Sequence, residues 1–138
     1  IYLLFTLEFH TDMVSLVHLE SHNYVDRELA WIDFNSRVLA LSEHPEIPLA
    51  ERLRFLTIVS TNFDDYFMIR AASVVGKIAK GDTSKNTSGL TPQELFSEIM
   101  SKSRTLIKRQ SEILHNHILP ELASDGIHLI KFEELTPK

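Results

Sequence analysis

Adjacent carboxylates at Asp64 and Asp65, a His115-Asn116-His117 triplet, scattered hydroxyls and a lone Asn62 are the side chains of this sequence whose types could do chemistry. Paired carboxylates can move protons or hold a metal. Consecutive helical residues diverge by about 100°, however, so Asp64 and Asp65 read more simply as charges favoured near the positive end of a helix. The same divergence sends His115 and His117 to opposite sides of a helix, where metal ligands three or four residues apart would converge. Bundle metal enzymes carry a Glu-x-x-His pair on each of two helices, whereas this sequence has the single pair Glu112 and His115. Ser60, Thr61 and Ser73 have no histidine near in sequence and no nucleophile-elbow pattern around them. A glycine-rich phosphate loop ending in Gly-Lys-Ser or Gly-Lys-Thr is also absent from the sequence. The residues by themselves propose neither a catalytic centre nor a metal site.

Asn62 and the arginines are different in kind, because they suit binding. A carboxamide offers two donors and an acceptor, which can match the edge of an adenine ring lodged among apolar side chains. Read alone, Asn62 is more simply a helix cap. Arg52, Arg54 and Arg70 flank it in sequence, and their forked guanidiniums suit phosphate oxygens or carboxylate partners. Lys102, Arg104, Lys108 and Arg109, balanced by Glu98 and Glu112, read as a solvated helix face.

The elements that must position these groups are helical. Trp31, Phe34, Val38 and Leu41 form one stripe of a first helix, capped by Asn23 or Asp26 and ended by the segment His44 to Pro48. Pro48 opens a second helix whose inward row is Leu49, Leu53, Leu56 and Val59. Thr61 and Asn62 interrupt it, and Asp64 starts a third helix with Phe67, Ala71, Val74 and Ile78 inside and Gly81 as its stop. Residues 81 to 89 carry no apolar side chain and predict a mobile surface loop. Thr91-Pro92-Gln93-Glu94 is a capping box. A long fourth helix follows, with Leu95, Ile99, Leu106 and Ile113 in one row, Ile118 beside them, Pro120 as an end or kink and Gly126 as closure. The expectation is an all-α antiparallel bundle of about four helices with a short extended segment, Ile127 to Ile130, near the C-terminus. Residues 1–22 are expected to be an extension, with Met13 a candidate natural start, residues 23–126 the bundle, and residues 127–138 the beginning of a further domain.

Composition narrows the function classes. The 138 residues are 43% hydrophobic and 24% charged, which suits one globular domain and is too apolar for disorder. A net charge of -5 argues against nucleic acid as a partner, since phosphate neutralisation needs clustered positive charge. The absence of cysteine excludes thiolate chemistry and fits a reducing compartment. The apolar run at Ile1 to Phe9 is too short to cross a bilayer.

Two stretches carry a specific likeness. Glu28, Leu29, Trp31, Phe34 and Asn35 stand in the order E-L-x-W-x-x-F-N. Glu51 to Leu56 follow E-R-L-x-F-L, and Ser60, Asn62, Asp64 and Phe67 follow S-x-N-x-D-x-x-F. Together they resemble the N-terminal domain of the bacterial polyphosphate kinase family, with Asp65 and Tyr66 as mild departures from the residues most usual after the motif aspartate.

The resemblance implies a cytoplasmic enzyme, or one peripheral to the inner membrane, that reversibly transfers the terminal phosphate of ATP to polyphosphate. It does so through a phosphorylated histidine with Mg2+, both lying outside this fragment. It implies a helical domain forming one wall of the adenine pocket, with Asn62 contacting ATP and Phe55, Ser60 and Asp64 as neighbouring candidates. The implied partners are ATP or ADP, polyphosphate, the remaining domains of the parent chain and further copies of that parent. The alternative function is a purely structural bundle that docks those domains and touches no ligand.

Overall fold

The computed structural model describes residues 24 to 130, and these are helical throughout their regular parts. Helix α1, Arg27–Ala40, ends in a tight 3-10 turn at Leu41–Glu43. Helix α2, Leu49–Asp65, passes through a wide π turn, Tyr66–Ala71, into α3, Ala72–Ala79. Helix α4, Pro92–Ile113, passes through a second π turn, Leu114–Ile118, into α5, Leu119–Ser124. Backbone angles at Tyr66, Ala72, Leu114 and Leu119 are all right-handed helical, so five α-helical segments make three continuous columns.

Several sequence expectations change here. The break at Thr61 and Asn62 does not occur, and the anticipated second and third helices are one column. Val59, Phe63 and Tyr66 are buried on both sides of the polar pair, and their packing overrides its weak helix propensity. The bundle therefore has three columns among the described residues rather than about four. Pro120 likewise does not end the last column. It lacks an amide hydrogen and lies in the first turn of α5, directly after the π turn, where the wider backbone ring accommodates the lost helical bond. Residues 127 to 130, the expected extended segment, form no strand among the described residues, and residues 131–138 lie outside them. So do residues 1–23, including the Met13 start and the Asn23 cap.

Cross-column bonds fix the packing direction. Asn62 meets Asn35, Arg70 meets Glu28 and Arg52 meets Ser42, so the first two columns run antiparallel. Arg52 also meets Glu121 while Gln110 meets Leu56, which makes the second and third columns antiparallel as well. The core between them holds Ile32, Leu39, Leu56, Val59, Phe63, Tyr66, Val74, Leu95, Ile99, Leu106, Ile113 and Ile118. Each such aliphatic side chain taken from water stabilises by about 1.5–3 kcal/mol before entropy is counted. The anticipated row Leu95, Ile99, Leu106 and Ile113 is buried, and the π turn's extra residue brings Ile118 in line behind Ile113.

On α1 the inward row is Glu28, Ile32, Asn35 and Leu39, one position round from the stripe expected from sequence. Phe34 and Leu41 are 49% and 38% exposed and Trp31 is half-buried. Polar groups thus occupy core positions on this helix.

The ends are set by local chemistry. The Asp26 carboxylate accepts from the amides of Glu28 and Leu29 at 2.7 and 3.2 Å. The Thr91 and Glu94 capping box is complete, and Gly126, at φ +80°, closes α5. Pro48 is the residue just before α2 rather than its first member. Two side-chain hydrogen bonds connect the loop before α4 to its surroundings and within itself. Asn86 donates to Asp26 at 2.7 Å and receives the Leu90 amide at 2.9 Å, tying the loop to the start of α1.

Candidate functional site

Asn62 lies in the fourth turn of α2, half-buried, and is not a cap. Its Nδ2 donates to Asn35 Oδ1 at 2.7 Å, and Asn35 Nδ2 donates to the Trp31 carbonyl at 3.0 Å. Asn35 is completely buried, so the pair is fixed from the inside of the bundle. One hydrogen bond sets which way the Asn62 carboxamide turns. Among the described residues its Oδ1 makes no hydrogen bond, and its amide keeps a second hydrogen.

The four sequence candidates separate into two faces. Phe55 and Asn62 are seven residues apart on α2, about two turns, and share a side with Ile58. Ser60 and Asp64, four apart, lie on a different side. Ser60 turns toward α4, where Gln110 Nε2 donates to its Oγ at 2.8 Å. There it lines a groove of about 270 Å³ with Leu53, Leu56, Ile107 and Leu114. Asp64 is exposed beyond it. The structure therefore brings Phe55 to Asn62 and takes Ser60 and Asp64 away.

Asn35 was missed as a site residue by sequence reasoning. The available signal was its place in the E-L-x-W-x-x-F-N stretch, since a polar residue on the inward row of a helix needs a partner. Beside the pair stands an aromatic wall. Trp31 stacks on Tyr66 with ring centroids 4.5 Å apart, and Phe63 meets Trp31 edge-on at 5.8 Å. Tyr66 donates to the Glu28 carbonyl at 3.3 Å. Its phenol pKa is pushed upward, first by burial and then by the nearby charges of Glu28 and Asp26.

The three arginines have separate fates. Arg52 is 8% exposed, donates to the Ser42 carbonyl at 2.8 Å and grips Glu121 with both terminal nitrogens. It joins all three columns and is committed to structure. Arg54 faces solvent beside Glu51. Arg70 donates to Glu28 at 3.2 Å and keeps 38% of its side chain exposed. On the α4 face expected to be solvated, Lys102 bonds Asp33 at 2.7 Å and Arg109 pairs with Glu43, so these two brace α1.

Among the described residues, no three His, Asp or Glu side chains converge as metal ligands. Ser111 Oγ lies 3.4 Å from His115 Nδ1, but that nitrogen is 2.8 Å from the Ser111 carbonyl. The carbonyl can only accept, so Nδ1 carries the proton and is no base for the hydroxyl. No described helix is long and apolar enough to cross a membrane.

Fold and site define an all-helical domain that presents one oriented carboxamide beside aromatic side chains. The chain belongs to the polyphosphate kinase N-terminal domain family, whose model matches residues 24–130. It is 42% identical over 120 residues to a polyphosphate kinase of Streptomyces coelicolor, covering 87% of this chain and 16% of that protein. It is 38% identical over 118 residues to one from Prochlorococcus marinus, covering 86% of this chain and 17% of the relative. Against one from Mycobacterium bovis the identity is 36% over 117 residues, with 85% and 16% covered. The chain thus spans about one sixth of the length of these relatives. No solved structure matches it.

Proposed function

We propose that this chain is the N-terminal domain of an enzyme that reversibly moves the terminal phosphate of ATP onto polyphosphate, and that its Asn62 face forms part of the adenine pocket. The observation that carries this is the Asn35–Asn62 bond. A carboxamide held from beneath, with an acceptor and a donor left outward, is organised in advance for the paired hydrogen-bonding edge of a purine. Phe55, half-buried, and Ile58, exposed, stand on the same side of α2 and supply apolar surface for the ring. Asn62 thus contacts the base, Phe55 packs beside it, and Ser60 and Asp64 sit too far round the helix to share that contact.

The phosphorylated group, the Mg2+ and the residues that handle transferred phosphate belong to the rest of the parent chain, and the isolated fragment is inactive. The parent works in the cytoplasm as a homo-oligomer. A second reading, docking of the parent's other domains without ligand contact, draws support from Met68 and Ile69, which are 67% and 70% exposed in the π turn between α2 and α3. Photolabelling the full-length enzyme with 8-azido-ATP separates the two. Label recovered on the peptide carrying Phe55 to Asn62, and displaced by ATP, supports the adenine pocket. Label confined to other domains would leave docking as the function.

A further inference from the structure

Where the start of α1 meets α3 and the loop before α4, the bundle opens into a cleft of about 750 Å³ that Asn62 does not line. Arg27, Arg70 and Lys77 line it, together with the hydroxyl residues Ser73, Thr87 and Ser88. The two arginines are held by a single carboxylate. Glu28, with 9% of its side chain exposed, accepts from Arg27 Nε at 3.0 Å and Nη2 at 2.7 Å on one oxygen. Its other oxygen accepts from Arg70 Nη1 at 3.2 Å. One buried acid therefore sets two guanidiniums at the cleft wall.

Each guanidinium has five N–H donors and spends only some of them on Glu28. The other acid of the cleft, Asp26, is occupied by the α1 amides and by Asn86. Three cations thus stand against two carboxylates that are already engaged, and the excess is positive. Arg27 keeps 85% of its side chain exposed and Arg70 38%, so both guanidiniums still present donors to solvent at the cleft. Lys77, the third of these cations, is hydrogen-bonded to neither acid, and it also lines a neighbouring cavity with Asp82.

We propose that this cleft binds a linear phosphate polyanion, with Arg27, Arg70 and Lys77 neutralising successive phosphates and the hydroxyls donating to bridging oxygens. Polyphosphate is the occupant of that chemistry suggested by the functional reading above, whereas the charge and shape of the cleft stand without it. A phosphate chain could also belong to a nucleotide, so the test compares the two sources.

The 138-residue chain is titrated calorimetrically at low ionic strength with tripolyphosphate, a longer polyphosphate and ATP, in the wild type and in Lys77→Gln and Arg27→Gln. Both positions are exposed, and circular dichroism checks that each variant is folded. Loss of one charge-assisted hydrogen bond is expected to weaken tripolyphosphate binding about tenfold in each variant. The longer chain should bind more tightly than tripolyphosphate, and ATP no more tightly. Absence of tripolyphosphate binding, or binding unchanged in both variants, overturns the site. ATP binding tighter than tripolyphosphate and weakened by Lys77→Gln overturns its assignment to polyphosphate. Adenine photolabelling and this titration read different faces, so either can fail alone.

Discussion

Asn62 donates a 2.7 Å hydrogen bond to Asn35, and Asn35 is completely buried beneath it. Asn62→Ala would therefore remove more than a surface group, because the Asn35 oxygen would lose its partner inside the bundle. A buried polar atom left unpaired costs about 1–3 kcal/mol. Asn35→Ala should lower the unfolding free energy by about 2–3 kcal/mol, since it also empties packed space and strands Asn62. Urea denaturation of the wild type, both single variants and the double variant measures the pair. A coupling energy indistinguishable from zero would contradict the bond.

Arg52 is the tie between all three columns, so its loss should be felt far from α2. Arg52→Ala removes a buried donor to Ser42 and a two-nitrogen grip on Glu121. The expected cost is about 2–3 kcal/mol, tempered because Glu121 is partly exposed and can be rehydrated. Arg52→Lys should recover only part of this, because one ammonium cannot reach both partners in the same geometry. Chemical denaturation decides it, and equal stability of lysine and arginine would argue against the fork.

Ser103 points the other way. It is 1% exposed on α4, and its hydroxyl oxygen has no hydrogen-bond partner among the described residues. Ser103→Ala should raise stability by about 0.5–1 kcal/mol, because the unfolded state no longer hydrates a hydroxyl that the fold leaves unpaired. A lowered thermal midpoint would mean the hydroxyl is satisfied.

Glu94 gives a pH signature. Hydrogen bonds from the Thr91 amide and hydroxyl lower its pKa in the folded chain below the ordinary 4.5. A depressed carboxylate contributes stability that is fully present above the unfolded value and disappears as pH falls through the folded one. The thermal midpoint of the wild type should thus exceed that of Glu94→Ala at neutral pH. The gap should close on acidification below about 4.5. A constant gap across that range would show that the charge is not what completes the cap.

Much of the helical frame was legible because it is local. The Thr91 to Glu94 box, the row Leu95, Ile99, Leu106 and Ile113, and Gly126 as a stop all depend on residues near one another in sequence. What failed depended on tertiary context. Thr61 and Asn62 suggested a break because their propensity is weak, yet Phe63 and Tyr66 pack against Trp31 and hold the helix through them. The two π turns shifted the inward register by one residue, so that Tyr66 pairs with Ala71 and Ile113 with Ile118 in the core rows. Five-residue spacing between apolar positions was the visible trace. Asn62 stood out through family likeness alone, and its partner Asn35, distant in sequence, became apparent only when α1 and α2 were packed together.

The most direct measurement is the ATP dependence of polyphosphate synthesis by the full-length parent, comparing wild type, Asn62→Ala and Ile99→Val. The last is a core change on α4 expected to cost about 0.5–1.5 kcal/mol of stability, which controls for the folding penalty of the first. Loss of one neutral hydrogen bond to the base, worth about 0.5–1.5 kcal/mol, should raise the KM for ATP roughly 2- to 12-fold in Asn62→Ala. Ile99→Val should leave that KM unchanged. An unchanged KM in Asn62→Ala, or an equal rise in both variants, would contradict the adenine contact and leave Asn62 as a brace between two helices.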